Sequence, residues 1–126
     1  MREIKFRGKH LDDTSEWLYG NYVFIQDDIF QHKIADRNGL LLDIDINTLG
    51  QYTGLKDENG KEIYEGDIVK SFFVDTDEAG NEIYKYYIIE VKYDEVLCSY
   101  NIDKFMNLKK IGNIYENKEL LNETNR

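Results

Sequence analysis

A mainly β fold, arranged as a small antiparallel barrel or sandwich, is what this sequence predicts, and three observations predict it. Val, Ile and Tyr gather in short runs parted by Gly, Asn and Asp, which is the punctuation of strands and turns. Aromatic residues make up 13% of the chain, with ten tyrosines and six phenylalanines, types that pack well on a pleated, half-buried surface. Strict alternation occurs at Ile89-Glu90-Val91-Lys92-Tyr93-Asp94, where a strand puts Ile89, Val91 and Tyr93 on a core face and the charged residues on a wet one.

In chain order, strands are expected over residues 3–9, 17–25, 29–35, 40–46, 67–74, 83–93, 96–100 and 111–115. Proline is absent, so the turns fall to Gly, Asn and Asp. Asp36-Arg37-Asn38-Gly39 and Asp57-Glu58-Asn59-Gly60 both read as hairpin connections. Gly54 reads as a further turn, and Glu65-Gly66-Asp67 launches the strand at 67–74 as the start of an SH3-like barrel element. Helical signal is sparse. Asn117 is placed to cap a short terminal helix over 118–124, with Leu120 and Leu121 to dock it; otherwise residues 116–126 are a polar tail. Ile102, Phe105 and Met106 have helical spacing that a loop packed on a sheet shares. At 126 residues the chain is expected to form one domain, 1–126.

An internal echo joins residues 57–64 to 77–84, identical at six of eight positions. It is too short for a repeat architecture, and the simple reading is two tight turns, each with an Asp bonding backbone amides and a Gly at positive φ.

Charge excludes some functions. There are 16 Lys and Arg against 25 Asp and Glu, a net −9. Residues 1–9 carry +3 and residues 104–126 carry +2, which leaves −14 for residues 10–103. Such a body repels phosphate backbones and anionic membranes, so a protein partner, or mimicry of a polyanion, fits it better. No apolar run approaches the roughly 20 residues of a membrane span. The single cysteine, Cys98, rules out an intramolecular disulfide and every multi-cysteine metal site. With no apolar leader after Met1, it predicts a cytoplasmic protein.

Sites for chemistry are few. His10 and His32 fall in different hairpins, and no Gly-x-Ser-x-Gly, phosphate-binding loop or His-Glu-x-x-His is present. Cys98 follows Val96-Leu97 and is expected to be a buried, inert thiol. Residues 75–80 match a calcium loop at positions 1, 3 and 6, but Ala79 stands at position 5 and Tyr86 at position 12, where carboxylates are required. Asp43 and Asp45 read as the outward face of a strand. No catalytic residue, cofactor or metal is therefore expected, and the chain is read as not an enzyme.

The segment over residues 51–69, taken with both ends, resembles a known family. Arg2-Glu3-Ile4-Lys5-Phe6-Arg7, Gln51-Tyr52-Thr53-Gly54-Leu55 with Asn59-Gly60-Lys61-Glu62-Ile63-Tyr64-Glu65-Gly66-Asp67-Ile68-Val69, and Ile111-Gly112-Asn113-Ile114-Tyr115-Glu116-Asn117 are similar to motifs of the YopX family of small phage and prophage proteins. The chain departs from that pattern at Gly8, where Ala-Trp is common, and at Lys118, where Pro often stands. The resemblance implies a mostly β phage or prophage accessory protein in a bacterial cytoplasm, and it implies no activity.

The leading expectation is a non-enzymatic module that binds a host or phage protein. Its tyrosine supply includes Tyr84 and Tyr115, and the candidate partner-binding residues are Tyr52, Lys56, Tyr64, Glu65, Tyr86 and Tyr87. Tyr86 and Tyr87 are adjacent, so on a strand they point to opposite faces. The alternative is nucleic-acid binding by a small β-barrel through a basic patch of Arg2, Lys5, Arg7, Lys9, Lys109 and Lys110, although aromatic residues for base stacking are missing around it. Unpaired sheet edges leave a homo-oligomer open.

Overall fold

The computed structural model describes residues 3–13 and 15–122. The chain falls into two compact units, Met1–Gly54 and Leu55–Arg126, and each has its own apolar cluster.

In the first unit the strands are β1 (Phe6–Lys9), β2 (Trp17–Gln26), β3 (Phe30–Ala35), β4 (Leu41–Asp43) and the start of β5 (Gly50–Lys56). All pair antiparallel in the order β4-β3-β2-β1-β5. Period-two alternation turns Leu18, Ile34 and Ile44 inward, and Phe6, Tyr22, Leu42 and Leu49 pack on them. Two glycines let this small core close. A Cβ on Gly8 would stand 2.9 Å from Ile44 Cδ1, and one on Gly20 would collide with the backbone oxygen of Ala35. The sheet curls until Ile44 bridges His10, flanked by Leu11 N to Asp43 O and Asp45 N to Lys9 O, both 2.9 Å. That single bridge does not make a closed barrel. A short 3-10 helix, Ile46–Thr48, starts where the Asp45 side chain accepts from Asn47 N and ends at Thr48, whose Oγ1 accepts from Lys9 N at 2.8 Å.

In the second unit the end of β5 leads through a turn at Asp57 to β6 (Glu62–Tyr64). Then come β7 (Asp67–Thr76), β8 (Glu82–Glu90), a small hairpin of β9 (Tyr93–Asp94) and β10 (Ser99–Tyr100), and β11 (Leu108–Asn113). The sheet order is β11-β7-β8. β7 and β8 pair without a break from Ile68↔Glu90 to Thr76↔Glu82, whereas β11 reaches only as far as Ser71 on β7 and slips register between Lys110 and Gly112. Ile63, Val69, Val91, Tyr100, Ile102 and Leu108 form the core, with Leu55, Ile89 and Phe105 packed on it.

The mainly β, antiparallel class is as the sequence predicts; of the two architectures it allowed, the closed barrel is not formed. Several local expectations are corrected. Gly54 is not a turn but a residue of β5 at φ +85°. β5 and β6 lie outside the strand ranges expected, although the hairpin connection read at 57–60 implies a strand on each side of it. The strand expected over 83–93 ends at Glu90, because Val91 turns in to exchange hydrogen bonds with Gly66 and Asp67. Consequently Tyr93 is 45% exposed instead of continuing the core face. Residues 95–98 form a turn rather than strand, with Cys98 exposed at φ +53°, so the buried thiol is also corrected. The terminal helix is a 3-10 helix, Lys118–Asn122, and the rest of its expected span lies outside the described residues. Asn117 does not cap it with its side chain; its Oδ1 instead accepts from Asn113 N at 3.2 Å.

Candidate functional site

Three Asp-x-x-Gly turns repeat one geometry. Asp36, Asp57 and Asp77 each accept on Oδ1 from the amides two and four residues on, at 2.8–3.0 Å. Gly39, Gly60 and Gly80 sit at φ +81° to +87°, where only glycine rests without strain. The echo between 57–64 and 77–84 is thus a shared turn. Asp77 and Asp75 are committed to these amides and to Lys85, whose Nζ lies 3.0 Å from Asp75 Oδ2. Both carboxyls are held below the usual Asp range, Asp75 by the Thr76 amide and Lys85 and Asp77 by the Asn81 amide. Asp57 differs in being buried, and its Oδ2 also accepts from Lys110 N at 2.9 Å. Burial pushes its pKa up, but the amides of Lys110, Lys61 and Asn59 outweigh that and hold it below the usual range.

The segment 62–69 builds a buried polar knot. Asp67 is fully buried; its Oδ2 accepts from Tyr64 N at 2.7 Å and pairs with Lys110 Nζ at 3.2 Å. Lys110 also donates to Glu62 O at 3.2 Å, and Tyr64 Oη donates to Glu62 Oε1 at 3.1 Å. A Cβ on Gly66, at φ +88°, would press on the Tyr115 ring at 3.0 Å. These motif residues hold β6, β7 and β11 together.

Three of the six residues expected to meet a partner are therefore turned wholly or partly inward. Tyr52 and Tyr64 are 4% and 1% exposed, and Glu65 is half-buried with Tyr100 Oη 3.3 Å from its Oε2. Lys56 is exposed, beside a groove of about 350 Å³ in the second unit. The basic patch is similarly dispersed. Arg7 is 2% exposed, its guanidinium 4.5 Å from the centre of the Trp17 ring, and Lys9 lies over the same ring. Lys5 sits over Tyr52 and 3.6 Å from Glu3. Lys110 serves the buried knot, Lys109 is exposed on β11, and Arg2 lies outside the described residues.

Tyr86 and Tyr87 do occupy a surface, on opposite faces of β8. Tyr87 is 43% exposed and stacks on Phe73 with centroids 4.9 Å apart. Across the other face, Phe72 pairs with Tyr86 and Val74 with Tyr84. Phe72, Val74 and Tyr84 are 38%, 54% and 76% exposed, with Lys70 Nζ 4.4 Å from the centre of the Tyr86 ring. Among the described residues no third strand pairs with this hairpin beyond Ser71. A groove of about 240 Å³ runs along it between Phe72, Val74, Tyr84 and Asn107. Phe72 and Val74 were missed among the candidate residues because alternation in 67–74 reads as ordinary strand, and nothing in the sequence says that β11 starts opposite Ser71 and leaves both outside its pairing.

Among the described residues no group of three His, Cys, Asp or Glu comes together to hold a metal. A groove of about 430 Å³ in the first unit includes His32, Asp43 and Asp45. There His32 Nδ1 is 2.7 Å from Tyr22 Oη, Asp43 pairs with Lys33, and Asp45 accepts from Asn47 N. Among the described residues no helix is long and apolar enough to cross a membrane.

Comparison with known proteins bears on the whole chain. Residues 5–122 match the family described as YopX protein. A solved structure, protein EF1440 from Enterococcus faecalis, is 25% identical, with 96% of this chain and 99% of that one covered and a TM-score of 0.53. No curated protein matches the chain.

Proposed function

Given that the chain belongs to the YopX protein family, we propose that it is a non-enzymatic phage or prophage accessory protein that binds a host or phage protein in the bacterial cytoplasm. The observation that carries this reading is the exposed apolar face of the β7–β8 hairpin, Phe72, Val74 and Tyr84 with Tyr86. Tyrosines joined to aliphatic area on such a face are the composition of an interface centre. The inward commitment of Arg7 and Lys110 removes two charges from the nucleic-acid alternative.

The test is a tagged full-length chain recovered from phage-infected bacteria beside a Val74→Ser/Tyr84→Ser variant. One stoichiometric protein held by the first and lost by the second is the expected result. Equal recovery by both, or recovery of nucleic acid that salt strips away, overturns the reading.

A further inference from the structure

We propose that the outer edge of β8 receives an extended, basic-ended peptide segment of the partner as an added antiparallel or parallel strand. This rests on the protein-binding reading above and specifies how the partner is held.

β8 is the last strand of its sheet, so among the described residues no strand pairs with its outer side. It runs nine residues, Glu82–Glu90, without proline and without a bulge in its pairing to β7. Long, regular edges of this kind present a row of backbone groups ready to pair, and natural proteins normally blunt them. The 3-10 helix Lys118–Asn122 lies against part of β8, while proline and bulge are both missing along the middle of the strand. Its side chains there are Tyr84 and Tyr86 on one face and Ile83 and Tyr87 on the other, which gives apolar contacts to alternate residues of an incoming strand. Lys85, the one basic residue between them, is drawn back to Asp75 on β7.

Charge selects the occupant. The edge is bracketed by carboxylates, with Glu82 and the acidic tip Asp77-Glu78 at one end and, at the other, Glu90, whose Oε2 is 3.8 Å from Lys92 Nζ. An incoming segment that is apolar at alternate positions and basic at its ends meets open carboxylates at the Glu82 end and competes with Lys92 for Glu90 at the other. A second copy of β8 laid antiparallel in full overlap would set Glu82 against Glu90 twice, which opposes self-pairing. The same carboxylates oppose a phosphate backbone.

The probe is a capped nine-residue peptide that alternates valine with threonine and ends in lysine, added to the full-length protein; its counterpart ends in glutamate. Amide hydrogen exchange and titration by NMR read where and how tightly each binds. The expected result is at least tenfold slower exchange at those β8 amides that turn away from β7, tenfold weaker binding of the glutamate peptide, and reversed preference in a Glu82→Lys/Glu90→Lys variant. Equal binding of the two peptides, or protection elsewhere on the chain, overturns the proposal. So does β8 protection without peptide in a particle that sediments as two chains, which assigns the edge to a second copy, or displacement of the peptide by a short oligothymidylate. If the peptide fails while the Val74→Ser/Tyr84→Ser variant still loses its cellular partner, strand addition falls and the protein-binding reading stands.

Discussion

Asp57 and Asp77 accept the same pair of amides in the same turn, yet their replacement should not have the same effect. Asp57→Ala strands amides in a buried site and is expected to cost about 2–3 kcal/mol in urea unfolding, whereas Asp77→Ala, at an exposed tip, should shift the midpoint only slightly. The turn itself was legible, since Asp-x-x-Gly states its chemistry; the difference was not, because it depends on Lys110 arriving 53 residues later. A separation of 43 residues likewise hid the ion pair of Asp67 with Lys110. Lys110→Met removes the cation from a carboxylate fully shut off from water, and a loss of about 3–5 kcal/mol is expected. Glycines sort by what surrounds them. Gly60→Ala meets open space and is expected to cost about 1–2 kcal/mol for its left-handed backbone alone. Gly20→Ala drives a methyl into a neighbouring strand's carbonyl and should lower the thermal midpoint much further.

Among the elements, β2, β3 and β7 were readable because each alternates long enough to show its period. β5 and β6 were not. Gly54 and the turn signals around Asn59-Gly60 broke their pattern, and three residues of β6 are too few to display one. β11 began three residues earlier than expected, since Leu108-Lys109-Lys110 does not look like strand until its partner Ser71-Lys70-Val69 is supplied. The candidate surface suffered for the same reason: tyrosine identity pointed to Tyr64, which the fold buries, and passed over Val74, which it exposes. Val74→Ser/Tyr84→Ser should therefore leave stability within about 0.5 kcal/mol of the parent chain, as surface changes usually do, while abolishing partner recovery. A large loss of stability on chemical unfolding would show that this face supports the hairpin instead of serving a partner.

For the molecule as a whole, class, antiparallel pairing and family were legible from punctuation and motifs, but the division into two units with separate cores was not, since no linker composition marks it. Acid response is a property of the whole chain. Asp13, Asp57, Asp75 and Asp77 are all stronger acids in the fold than in the open chain, so the unfolded state takes up more protons as pH falls. Their stabilisation is complete above the ordinary Asp range, near pH 4, and is lost below it. The urea midpoint should fall between about pH 5 and about pH 3, and Asp57→Asn should flatten part of that slope. The turn that carries Cys98 gives the chain one further property. The molecule's only thiol stands in solvent on a turn flanked by Val96 and Leu97, themselves 91% and 71% exposed. A maleimide dye should therefore couple once per chain to the native protein, and its fluorescence offers a built-in gauge of any encounter near the β9–β10 hairpin without a single engineered residue.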